Sequence, residues 1–145
     1  MWWIYALLSA LFAALTAVFA KVGIKGVDTD LATAIRTVVI LILAWAIVLF
    51  KGAGTGIHNL TKQNIIFLCL SGVATGLSWI FYFKALQIGK VSQVAPVDKL
   101  SVAIAIIISV IFLGEPLTLK AGIGAALVIA GSLVLVLYFT PAKYN

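Results

Sequence analysis

The sequence predicts an all-α, multi-pass membrane protein with five transmembrane helices, and three observations carry that reading. Of 145 residues, 64% are apolar and 10% charged, with a mean hydropathy of +1.24, whereas a water-soluble domain has about 45–50% apolar and about 25% charged residues. A membrane-spanning helix needs about 20 mostly apolar residues, so five spans use roughly 100 and leave about 45 for connections. Long apolar runs alternate with short stretches rich in Gly, Lys, Asp and Asn. Secondary transporters commonly assemble two repeats around a mid-membrane site, and this length corresponds to one such repeat, the whole of 1–145 forming a single transmembrane domain.

The first span is expected from Trp2 to Ala20. Val18 and Ala20 would suit a signal-peptide cleavage site, but no Lys or Arg precedes the apolar run, and Trp2, Trp3 and Tyr5 read as an interfacial anchor of a retained helix. After a link from Lys21 to Asp30, the second span runs to Phe50, with Asp30 as its expected N-cap. The longest polar break, Lys51 to Asn64, holds three glycines, His58 and Asn59. The third span covers Ile65–Gly89 and the fourth Ser92–Leu113, closed by Gly114-Glu115-Pro116 because glycine accepts the left-handed cap and proline cannot continue a helix. Thr118 opens the fifth span, which ends near Phe139, with Pro141 and Lys143 beyond it. Ser101–Leu113 is rich in Ile and Val, yet a barrel strand would alternate polar and apolar residues, and Ala103–Ile108 is apolar throughout.

Five spans put the termini on opposite sides of the membrane. Lys51, Lys62 and Lys120 then share the side of the N-terminus, while Lys21, Lys25, Lys84, Lys90 and Lys143 lie on the other. This small bias favours an external N-terminus and equally suits a chain that inserts both ways. The net charge of +6 fits basic loops at lipid headgroups, and the absence of any Lys/Arg-rich run speaks against a nucleic-acid partner. Cys69 is alone, so no disulfide can form within the chain.

Ionisable residues within a span mark function by default. Arg36 lies six residues after Asp30 and can snorkel outward, pair with Asp28 or Asp30, or act in gating. Asp98 and Lys99 carry more information. If the fourth helix starts at Ser92, Lys99 lies about 10 Å inside it; if it starts at Pro96, the pair merely dresses a helix end. The deeper start is preferred, and Pro96 would then free a backbone carbonyl one turn earlier. Ser78, Trp79, Tyr82 and Phe83 precede Lys84, itself a snorkelling, gating or ion-pair candidate; the rings can wall a pocket or form a lipid-facing belt. Small residues at four-residue spacing recur at Ala6/Ala10/Ala14, Gly72/Gly76, Ser101/Ala105/Ser109 and Gly122/Ala126/Ala130. The last stripe is the preferred dimer contact, since past Lys120 at its start the span carries no charged residue. Glu115 reads as a turn residue and His58 stands without other metal ligands. No nucleophile–base pair, phosphate loop, metal cluster or cofactor motif is present, so no enzyme is expected.

The order of Trp79-Ile-Phe-Tyr-Phe-Lys-Ala-Leu-Gln-Ile-Gly89, Ser92-Gln-Val-Ala-Pro-Val-Asp-Lys99 and Leu113-Gly-Glu-Pro-Leu-Thr118 resembles the EamA-type repeat of the drug/metabolite transporter superfamily. Most members are similar to two such repeats fused in inverted orientation into ten helices, so the resemblance implies a half-size, five-helix member that works as a dimer, antiparallel by analogy. It also implies a central cavity lined by the first, third and fourth helices, which brings Trp79, Tyr82, Ser78, Asp98 and Lys99 near a solute. Small multidrug exporters of the same superfamily rely on a glutamate in their first helix, and Trp2–Ala20 holds no acid. The expectation is therefore an inner-membrane dimer that moves, with export the expected direction, small polar amino-acid-like or anionic metabolites by alternating access. A non-transporting partner subunit and a multidrug exporter are the alternatives.

Overall fold

Apolar side chains cover the outside of every long helix of the computed structural model, which describes residues 1–139; Pro141 and Lys143 lie outside the described residues. Among the described residues six α-helices follow one another: α1 Trp2–Gly23, α2 Thr29–Phe50, α3 Lys62–Ile88, α4 Val91–Asp98, α5 Leu100–Phe112 and α6 Leu119–Phe139, with a 3-10 turn at Ala53–Asn59 between α2 and α3. The α4–α5 pair forms one span, Val91–Phe112, so five segments are long and apolar enough to cross a membrane. No strand occurs among the described residues. Outward-facing Leu41, Ile42, Leu43, Phe67, Leu68 and Leu70 would be costly in water and are at home in hydrocarbon, where helices satisfy their own backbone.

The helix ends follow from local chemistry and correct two expectations. Asp28, not Asp30, caps α2: its carboxylate accepts from the N–H groups of Asp30 and Leu31, both at 3.0 Å. Asp30 is left in the first turn, where its charge faces the positive end of the helix dipole. The fourth span starts at Val91, one residue before Ser92, and the Lys90 N–H donates to Gln93 Oε1 at 3.2 Å. Thr61 caps α3 by accepting from the Asn64 N–H at 3.2 Å. Thr118 likewise accepts from the Ala121 N–H at 3.2 Å, one residue before α6. After α5 the chain leaves through Gly114 at φ +66°, a left-handed conformation that glycine enters without penalty.

The chain divides into two compact units. Phe19–Gln87 forms one, whose core is Ile24, Phe83 and Leu86 with the buried hydroxyls of Thr29 and Thr33. That core gathers at the N-terminal end of α2 and the C-terminal end of α3. Met1–Val18 with Ile88–Asn145 forms the other, in which α6 packs against both α4 and α5. Ala103 and Ser132 are buried in it.

Candidate functional site

In the Phe19–Gln87 unit, α2 and α3 run antiparallel and meet through polar and aromatic side chains. Gln87 donates to the Val27 carbonyl at 3.2 Å, Asp30 and Lys84 form an ion pair at 3.5 Å, and deeper along both helices Arg36 meets Trp79 and Phe83. The guanidinium carbon lies 4.1 Å from the centroid of the Trp79 ring and 5.2 Å from that of Phe83. Trp79 and Phe83 are four residues apart and so share one face of α3, and Arg36 reaches that face from α2. A planar, weakly hydrated guanidinium suits such stacking, which contributes about 0.5–2 kcal/mol depending on desolvation.

The surroundings of Arg36 are internally satisfied. The Thr33 and Thr37 hydroxyls donate to the carbonyls one turn back, of Thr29 and Thr33, both at 2.8 Å, a common way to hide a hydroxyl inside a helix. Lys21, in the last turn of α1, donates to the carbonyl of Leu86, one of the carbonyls left open at the end of α3. Tyr82 is half-buried, its ring centroid 6.3 Å from that of Phe83, whereas Ser78 is exposed.

In the other unit, the fourth span is broken. Pro96 has no N–H, so the Ser92 carbonyl loses its helical partner. Three residues later the backbone tightens: the Lys99 N–H donates to the carbonyls of Pro96 at 3.1 Å and Ala95 at 3.3 Å, and the Val102 N–H returns to the Lys99 carbonyl at 3.0 Å. Lys99 therefore stands at the junction of α4 and α5, about 12 Å along the span from Val91 at 1.5 Å per residue. Its ammonium pairs with Asp98 at 3.3 Å, with both side chains partly exposed. Beside the break an open, largely apolar cavity of about 430 Å³ lies between α4 and α6, lined by Ala95, Pro96, Lys99, Leu127, Val128, Gly131, Ser132 and Leu135. A charge pair at the rim of an apolar pocket can hold a polar group while the wall takes an apolar body.

Gly122, Ala126 and Ala130 do not line this cavity. At about 100° per residue they lie opposite the face of α6 that lines the cavity. Ala126 and Ala130 are exposed, and a methyl group added at Gly122 would meet no atom within 4 Å.

The candidates thus fall into two sets. Trp79, Tyr82, Ser78, Arg36 and Lys84 belong to one unit, and Asp98 and Lys99 to the other. Asp30 pairs with Lys84 and Asp28 caps its helix, so neither carboxylate serves Arg36 in the way the sequence allowed. The α6 wall of the cavity had no signal beyond the small residues Gly131 and Ser132, which a packing stripe explains equally well. The stack on Arg36 did leave a trace: two aromatic residues one turn apart on α3, and a lone cation deep in the neighbouring span.

Comparison with known proteins agrees with this architecture. The chain is 50% identical over 137 residues to an uncharacterized transporter of Sinorhizobium sp., a match covering 94% of this chain and 97% of the relative. It is 35% identical over 77 residues to an uncharacterized protein of Methanocaldococcus jannaschii, covering 52% of this chain and 56% of that one. No solved structure matches the chain. The model of the EamA-like transporter family matches residues 1–137, and with five membrane-length apolar helices in place, the chain belongs to that family.

Proposed function

We propose that the chain is a secondary transporter of small polar metabolites, amino-acid-like or otherwise anionic, acting as an antiparallel homodimer in the inner membrane, with export as its direction. The observation that carries this reading is the interruption of the fourth span at Lys99. A short 3-10 stretch inside a helix often marks a functional hinge, and interrupted helices mark the binding regions of many transporters. Here Lys99 lines an apolar cavity and pairs with Asp98. Lys99 binds the anionic group of the solute, and Asp98 either holds Lys99 in place or receives an amino group. Ser78, Trp79 and Tyr82 are solute contacts on α3, and Lys84 serves gating or ion pairing in that unit.

Two further points support dimeric action. The Sinorhizobium relative, named a transporter, is itself of this length, and Ala126 and Ala130 of the Gly122/Ala126/Ala130 stripe are exposed, which suits close approach of a second helix. A lipophilic-cation exporter is disfavoured because Trp2–Gly23 holds no carboxylate. The test is flux of labelled amino acids and dicarboxylates into liposomes containing the purified chain alone. Saturable flux of an acid, with none of tetraphenylphosphonium, is the expected result; flux of the lipophilic cation alone, or no flux at all, contradicts the proposal.

A further inference from the structure

Arg36 carries a permanent positive charge on a membrane-spanning helix, roughly 10 Å along α2 at 1.5 Å per residue, and among the described residues no carboxylate pairs with it. The chain has four acids. Asp28 caps α2, Asp30 is paired with Lys84, Asp98 with Lys99, and Glu115 follows α5 in the other unit. Among the described residues no ion pair or hydrogen bond is formed by the Arg36 guanidinium. Its flat face is used against Trp79 and Phe83, with the Tyr82 phenol close enough to act on its charge, and its N–H donors lie around its edge.

We infer that Arg36 is a binding site for an oxyanion, a carboxylate or a phosphate, taken edge-on by two guanidinium N–H groups while Trp79 and Phe83 hold the plane. Two parallel N–H···O bonds are the geometry for which a guanidinium is built. An uncompensated charge in a span is costly, and an incoming oxyanion removes that cost on binding. Trp79 and Phe83 are positioning residues, since they orient the group that makes the contact. As a solute site this deepens the transporter reading, on which it then rests, and narrows the cargo to acids; a lipid phosphate would use the same chemistry.

The test uses a single-tryptophan chain (Trp2→Phe, Trp3→Phe, Trp45→Phe) in which Trp79 reports on its own neighbour. In neutral detergent free of phospholipid, succinate, L-glutamate, inorganic phosphate and choline chloride are titrated at constant ionic strength, and phosphatidylglycerol in a parallel arm. A saturable change in Trp79 emission with an oxyanion, and none with choline, is expected. Arg36→Gln should abolish it, and Arg36→Lys should weaken it about tenfold or more, because an ammonium cannot make the two-pronged contact. Saturation by the free acids or phosphate identifies a solute site, and saturation by phosphatidylglycerol alone identifies a lipid headgroup; either upholds the oxyanion site. No response to any oxyanion, or an undiminished response in Arg36→Lys, overturns it, and neither outcome depends on Arg36→Gln folding. Flux in liposomes without this binding overturns the Arg36 site alone, whereas binding without flux overturns the transporter reading alone.

Discussion

Lys99 and Arg36 are cations placed well inside spans, yet they are handled differently. Lys99 has a carboxylate from its own neighbour at 3.3 Å, and Arg36 has aromatic faces from another helix. The first arrangement was readable because Asp98 and Lys99 are adjacent in the chain. The second was only half readable: spacing along α3 shows that Trp79 and Phe83 share a face, but nothing in one sequence says which helix faces them. Sequence proximity instead offered Asp28 and Asp30 as partners for Arg36, and these are engaged in capping and in the pair with Lys84. If Lys99 receives the anionic group of the solute, Lys99→Ala removes a charge-assisted hydrogen bond of about 1.5–3 kcal/mol. The apparent affinity in a proteoliposome flux assay should then weaken about tenfold or more, with the chain still inserted and folded. Unchanged affinity removes Lys99 from the site.

At the scale of elements, five apolar segments were legible because length and hydropathy alone decide what can cross a bilayer. Ends and interruptions were less so, since they depend on backbone geometry that several neighbouring residues could satisfy. Asp28 and Asp30 are both good capping residues two positions apart, and only the turn at Gly26, with φ +72°, brings the chain into α2 so that Asp28 accepts the free N–H groups. Asp28→Ala should therefore destabilise the protein by about 1 kcal/mol. Asp30→Ala should cost less, because its ion pair is largely exposed and such pairs contribute about 0–1 kcal/mol. Unfolding titrations of the two variants in mixed micelles check the order, and a larger loss in Asp30→Ala would contradict it. The break in the fourth span shows the same limit: Pro96 announced a weakened turn, but the displacement of the junction to Lys99 follows from the 3-10-like hydrogen bonds around it.

At the scale of the whole molecule, membership of a transporter family was legible from the ordered motifs of α3 and the fourth span, and the family match over residues 1–137 agrees. Assembly is the step beyond it. The bias of Lys residues, three on one side and five on the other, is small and gives little electrostatic preference for one orientation, so tags at either terminus should be accessible from both sides of the membrane; a single orientation contradicts an antiparallel homodimer. The central claim is that two chains share one transport event, and mixing tests it most directly. Wild-type and Lys99→Ala chains are co-reconstituted at graded ratios with total protein held constant, and flux is read at a solute concentration well below the weakened affinity of the variant. If both copies must supply an intact Lys99, flux falls as the square of the wild-type fraction, whereas a linear fall would show that single chains carry the solute unaided.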